Sequence, residues 1–292
     1  MARLEDRFER TLSVSGPVKL MVETGSGDIQ VRRGAEGTLV VQGRVFIHAL
    51  SRDQAHELAA KIKSDPPIEV SGNTVKVGDL SKYRESISWF LGPFLGIDFD
   101  IQVPYETEAK IDSGSGDQLI RDIRGPVRAE AGSGDIHIAH IEREVTVDTG
   151  SGNIAVVGSA KVSADAGSGD IELREIAGDV QIDVGSGDVV LQEIGGNIDV
   201  DTGSGDIRID SGLGTGVRWQ LETSSGDVSI SLPAEARFAL AVETSSGDIE
   251  VDFPLTVTGK LSKHELRGTV GDSPSAQIKI ETSSGDVRIQ KR

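Results

Sequence analysis

Ten copies of one short motif run through this sequence. It reads acid-x-Gly/Ser-Ser-Gly-Asp-Ile/Val, and its Gly-Asp pairs end at Asp28, Asp117, Asp135, Asn153, Asp170, Asp188, Asp206, Asp227, Asp248 and Asp286. From Asp117 the steps are 18, 18, 17, 18, 18, 21, 21 and 38 residues, and the first step is 89. A period this regular is the mark of a repeat array, in which each unit stacks on its neighbours to bury an edge it cannot bury alone. Between motifs the apolar residues alternate. Ile171, Leu173 and Ile176, then Val180, Ile182 and Val184, follow Asp170, and Val189, Leu191, Ile194, Ile198 and Val200 repeat the places after Asp188. Alternation at period two predicts short strands with one buried face. Each repeat also divides into two halves, since Gly169-Asp170-Ile171 is echoed by Gly178-Asp179-Val180. One repeat is therefore one circuit of two strands and two turns.

These spacings predict an all-β fold: a single-stranded β-helix, or β-solenoid, of about ten coils of 18–21 residues spanning 1–292 as one domain. An insertion of helix, hairpin and aromatic segment over 35–110 interrupts it. The apolar offsets share no six-residue phase, which sets aside a left-handed hexapeptide helix. Glycine accounts for 36 residues, and the turns need backbone that glycine reaches without penalty. Gly203 and Gly205 are expected to supply two positive-φ positions in one turn. In the last three motifs serine replaces the first glycine (Ser224, Ser245, Ser283), so the second position is the stricter. Gly187→Val is expected to cost more than the same change at Gly185.

Runs such as Glu243-Thr244-Ser245-Ser246-Gly247-Asp248-Ile249-Glu250-Val251 resemble the bacterial putative-adhesin family of unknown function, over roughly residues 10–292. The resemblance implies a right-handed β-helix of strand repeats. It implies no activity, because the family label reflects repeat architecture.

Within the insertion, Ser51-Arg52-Asp53-Gln54 has the form of a capping box, and Ala55, Leu58, Ala59 and Ile62 follow at helical spacing. A helix over 52–63 is expected, stopped by Asp65-Pro66-Pro67, with a hairpin at 68–70 and 74–77 and an end-capping role for the whole segment. Residues 258–275 read as a polar loop. Tyr83, Trp89, Phe90, Leu91, Phe94 and Leu95 make the most aromatic and apolar stretch of a chain with few aromatics. They are the candidate interaction patch, either folded onto the core or exposed to a partner or a second copy. Lys82 and Arg84 flank it without a wider basic cluster, so self-association is expected ahead of membrane contact through 83–99.

An acid precedes every motif aspartate by five residues: Glu23, Asp112, Glu130, Asp148, Asp165, Asp183, Asp201, Glu222, Glu243 and Glu281. Stacked coils would bring like charges together at a cost on the order of 1 kcal/mol per pair even in water. Amide hydrogen bonds and screening are the ordinary offsets. Bound calcium is the sharper alternative, with Asp165, Asp170, Asp183, Asp188, Asp201 and Asp206 as candidates, although Gly-Ser-Gly-Asp departs from the nonapeptide calcium repeat.

With 47 acids against 30 bases the net charge is −17, which argues against nucleic acid. The absence of cysteine removes disulfides, thiolate metal sites and thiol nucleophiles. His137 and His140 lack a metal-triad partner in the sequence, there is no phosphate loop, and chance carboxylate pairs are unavoidable. No cofactor and no catalytic residues are expected. The first residues lack a signal-peptide core and no apolar run spans a bilayer, so a cytoplasmic location is expected. The function expected is a non-catalytic scaffold that binds a protein partner or itself; a carbohydrate-binding or carbohydrate-active β-helix and a calcium-binding solenoid are the alternatives.

Overall fold

A computed structural model describes every residue except Met1, Leu50, 87–93 and 258–261, with residues 2, 84–86 and 94 described by backbone alone. The described chain is all-β apart from one α-helix and a short 3-10 turn, and it divides into two compact units, Met1–Arg143 and Glu144–Arg292.

In the second unit the motif period becomes a parallel ladder. The strand Ile154–Ser168 pairs with Ile171–Ile176 and Val180–Ser186, which pair in turn with Val189–Ile194 and Ile198–Ser204. Every partner stands one repeat away, so Ile171 faces Val189 and Asp183 faces Asp201. The six apolar offsets after Asp170 and the corresponding six positions after Asp188 are all buried, with Thr202 filling the last of them. Burial of each such aliphatic stabilises by about 1.5–3 kcal/mol relative to exposure. One-residue slippage would turn that whole set outward, which is why register holds from coil to coil.

Spatial order leaves sequence order near the C-terminus. The strand Ala276–Ser284 pairs in parallel with Arg218–Ser225 on one side and Phe238–Ser246 on the other, and Val287–Lys291 lies likewise between Val228–Leu232 and Ile249–Val251. The last coil is thus intercalated between the two coils that precede it. Part of the chain read as a polar loop over 258–275 is instead the strand Glu265–Val270, antiparallel to Phe238–Ser246 and to Leu255–Val257. Its Gly268 and Val270 face inward, so it covers an edge that the parallel coils would leave open.

The first unit carries the insertion. Val18–Thr24 pairs with Thr107–Ser115 and Thr74–Val77, and Ile29–Arg33 lies between Phe94–Val103 and Gln118–Ile123. The insertion therefore supplies a coil of its own. Beyond it the sheet turns antiparallel: Phe94–Val103 pairs with Thr38–Ala49, which pairs with Ala2–Ser13. The helix is Arg52–Ser64, with Ser51 Oγ accepting the Gln54 amide at 3.2 Å and Ala55, Leu58, Ala59 and Ile62 buried, as the pattern predicted. The hairpin Ile68–Ser71 and Thr74–Val77 also forms, around Gly72 at φ 60°.

The turn chemistry differs from expectation at two points. Only the second glycine of the motif takes a positive φ, for example 154° at Gly187, while Gly185 has ordinary backbone. A Cβ on Gly187 would stand 2.0 Å from the Gly169 carbonyl oxygen, against 2.6 Å from the Gly167 oxygen at Gly185. The opposite corner turns on left-handed residues that are not glycine: Asp122, His140, Glu175 and Glu193, each five residues after a motif aspartate.

Candidate binding cleft

The motif aspartates share one job along their file, and Asp188 and Asp206 also meet Arg208 at 3.3 and 2.6 Å. In the second unit the backbone N–H of Asp188 donates to Asp170 Oδ1 at 2.9 Å, Asp206 to Asp188 at 2.9 Å, Asp227 to Asp206 at 2.9 Å, Asp286 to Asp227 at 2.8 Å and Asp248 to Asp286 at 2.9 Å. Asn153 does the same for Asp170 at 2.9 Å, since its amide oxygen is an equivalent acceptor. The first unit repeats the device through Asp98, Asp28, Asp117 and Asp135. Amide hydrogen bonds thus offset repulsion along this file.

The acids five residues upstream form a second file, registered Asp165–Asp183–Asp201–Glu222–Glu281–Glu243. Lys279 meets Glu281 at 2.9 Å and Arg267 meets Glu243 at 2.7 Å, whereas burial, then the charges of neighbouring acids, raises the carboxyls of Asp165 and Asp201 above their usual range. The calcium candidates are split between the two files, Asp165, Asp183 and Asp201 in one and Asp170, Asp188 and Asp206 in the other. Among the described residues no group of three or more His, Asp or Glu side chains is arranged to hold a metal ion. His140 Nδ1 lies 3.0 Å from Asp122 Oδ1 in an exposed pair.

Two members of the aromatic patch prove to be core. Tyr83 is fully buried, its hydroxyl donating to the Asp65 carbonyl, and burial followed by the Asp65 charge pushes its pKa up. Leu95 is buried opposite Ile47. Leu95 continues the inward alternation of its strand, whereas Tyr83 is turned inward from the 3-10 turn Ser81–Ser86 and anchored by its hydroxyl. Phe94 is registered with His48 by its backbone, and Trp89, Phe90 and Leu91 lie outside the described residues.

A concave surface lies elsewhere in the first unit. A cleft of about 870 Å³ lies over strands that bring together residues from 7 to 137. One row crosses six strands in register, Glu9–Gln42–Asp100–Gln30–Leu119–His137. Beside it run Arg7, Arg44 and Asp98, with Asp28 and Asp117 continuing the motif file. Arg44 is held by Glu5 at 2.7 Å, Asp100 by Arg32, and Lys63 by Asp6 at 3.3 Å. The Asp98 carboxyl is raised, chiefly by burial and in part by the Asp28 carboxylate, against the lowering effect of the Asp28 amide it accepts. The Phe8 ring covers Gly43 so closely that a Cβ there would stand 2.2 Å from it, so only glycine admits this wall. The cleft therefore offers guanidinium groups on one side, carboxylates on the other and an aliphatic side chain on its floor.

Periodicity alone did not foresee this site, yet one pair of residues signals it. Nine motifs place Ile or Val directly after the Asp or Asn, whereas the motif at Asp117 continues Gln118-Leu119. The inversion is real: Gln118 is buried, donating to Ser113 Oγ at 2.8 Å and to the Glu130 carbonyl at 2.6 Å, and Leu119 is 37% exposed in the cleft.

In-register parallel coils joined by glycine-aspartate turns define a β-solenoid-like repeat protein. The Toastrack DUF4097 family model matches residues 98–175 and 143–290, together well over half of the chain, and the chain belongs to that family. No curated protein matches it. Among solved structures it is similar to a putative adhesin from Bacteroides fragilis (14% identity, 97% of each chain, TM-score 0.38), a putative lipid binding protein from Parabacteroides distasonis (13%, 97% and 96%, TM-score 0.39) and a putative cell adhesion protein from Clostridium sporogenes (12%, 98% and 100%, TM-score 0.26). No described helix is long and apolar enough to cross a membrane.

Proposed function

We propose that this protein is a non-catalytic binding scaffold whose cleft in the first unit receives a segment of a protein partner. The carrying observation is the Gln118-Leu119 inversion, which leaves an aliphatic side chain exposed on the floor of an 870 Å³ cleft walled by charges of both signs. Recognition sites combine an apolar centre with a few placed polar groups, and a hydrogen-bonded sheet holds those groups without ordering them on binding. Guanidinium and carboxylate walls suit a polypeptide segment that carries both charges around an apolar residue.

The test is a peptide array and a glycan array probed with the whole chain and with Leu119→Asp, which changes an exposed residue and should leave the melting temperature unaltered. Peptide binding that falls at least roughly tenfold in the variant, matching about 1.4 kcal/mol, supports the reading. Binding confined to glycans, or peptide binding indifferent to residue 119, overturns it.

A further inference from the structure

The strand Ala2–Ser13 pairs along one side only, with Thr38–Ala49, and among the described residues no strand is registered along its other side. The Arg7 N–H donates to no strand there and donates instead to its neighbour Asp6 Oδ1 at 2.8 Å, while Arg10 Nη1 donates to the Glu9 carbonyl at 3.1 Å. Both groups belong to odd-numbered residues, so the odd positions present their backbone to the open edge. An unpaired edge of this length is a template for another strand, and charge is the usual means of blunting it.

Here the charges are self-complementary. We infer that this edge recognises a second copy of itself, two Ala2–Ser13 strands pairing antiparallel about a two-fold axis at Phe8. In that register Arg7 stands opposite the second copy's Glu9 and Asp6 opposite its Arg10, each twice by symmetry. Leu4 meets Leu12, Glu5 meets Thr11, Arg3 meets Ser13, and Phe8 lies at the axis. No like charges meet. An axis at Arg7 sets Arg7 on itself and Glu5 on Glu9, an axis at Glu9 sets Glu9 on itself, and an axis at Asp6 sets Asp6 on itself. The hydrogen bonds of the pairing also fall where the edge is prepared for them. Arg7 N–H would donate to the second copy's Glu9 carbonyl, so the two backbone groups now stopped by Asp6 and Arg10 are those the dimer uses first. Cross-strand opposite charges stabilise and like charges destabilise an antiparallel pair, and a two-fold axis makes each favourable contact count twice.

The inference stands apart from the occupant of the cleft, since dimer mass and peptide binding are separate measurements. Sedimentation and light scattering of the full chain over a wide concentration range should show a monomer–dimer equilibrium. Arg7→Glu and Glu9→Arg, each exposed and each checked by a thermal melt, should weaken it by roughly tenfold or more, because each puts like charges opposite twice. The double variant Arg7→Glu with Glu9→Arg should restore the dimer, and mixing the two single variants should give a heterodimer. A monomer at every concentration overturns the inference. So does a dimer untouched by the single changes, or a failure of both the double variant and the mixture to rescue it.

Discussion

At the scale of the residue, the fold depends on two kinds of left-handed corner that the chain fills in different ways. At the motif corner glycine is demanded twice over, by φ and by the carbonyl of the preceding coil 2.0 Å from any Cβ at Gly187. At the opposite corner there is room for a side chain, so φ alone is the constraint. Glu175 sits there at φ 55°, and Gly158 occupies the equivalent place after Asn153 at φ 70°. A left-handed residue with a Cβ costs ~1–2 kcal/mol, and glycine returns part of that in unfolded-chain entropy. Glu175→Gly is therefore expected to stabilise by about 0.5–1 kcal/mol in urea unfolding, the reverse of the usual effect of introducing glycine. The motif corner was legible because every copy carries its glycine. This one was not, because Asp, His and Glu say nothing of φ.

At the scale of the element, the helix and its cap could be read off four spaced apolar residues and one serine, as local interactions decide both. The strand Glu265–Val270 could not: its polar, lysine-rich approach hides two inward positions, and only the edge of Phe238–Ser246 beside it makes them a strand. The strand Gln118–Ile123 shows the cost of a local departure. Gln118 occupies an inward place held by Ile29 and Ile136 on either side, and its Oε1 has no partner. A buried orphan acceptor costs ~1–3 kcal/mol. Gln118→Ile alone leaves Ser113 Oγ with only its long bond to the Gly116 carbonyl at 3.4 Å, but Gln118→Ile with Ser113→Ala removes both side-chain polar groups. The double variant is expected to melt higher than wild type, and higher than Gln118→Ile, which a single set of calorimetric scans would check. Lower stability in the double variant would mean that the Glu130 carbonyl bond outweighs the orphan.

At the scale of the whole molecule, the net charge of −17 is managed differently by its two acidic files. The motif file spends its Oδ1 atoms on amides, and Arg208 meets the second oxygens of Asp188 and Asp206. The upstream file has cations beside Glu130, Glu281 and Glu243, while Asp165 and Asp201 are raised by burial and by neighbouring acids. A carboxyl whose folded pKa lies above its unfolded value binds protons more readily in the native state. Its unfavourable contribution is complete above the folded pKa and is relieved as pH falls through it. Asp165→Asn should accordingly raise the melting temperature at neutral pH by roughly 1–3 °C, the size of one like-charge cross-strand pair removed. The difference should vanish at a pH below the ordinary aspartate range, where wild type is neutral there too. An equal gain at both pH values would assign the effect to packing instead.

Periodicity in the chain determined the all-β architecture, the buried face of each strand and the glycine-aspartate turns, because these follow from neighbours along the backbone and one repeat away. Tertiary structure decided the rest. It placed the last coil between the two before it, turned a polar stretch into an edge strand, buried Tyr83 and Leu95, and gathered residues 7 through 137 into one cleft. Those outcomes depend on which edges remain open once the coils have stacked, and an open edge is a property of the assembled sheet that no local pattern carries.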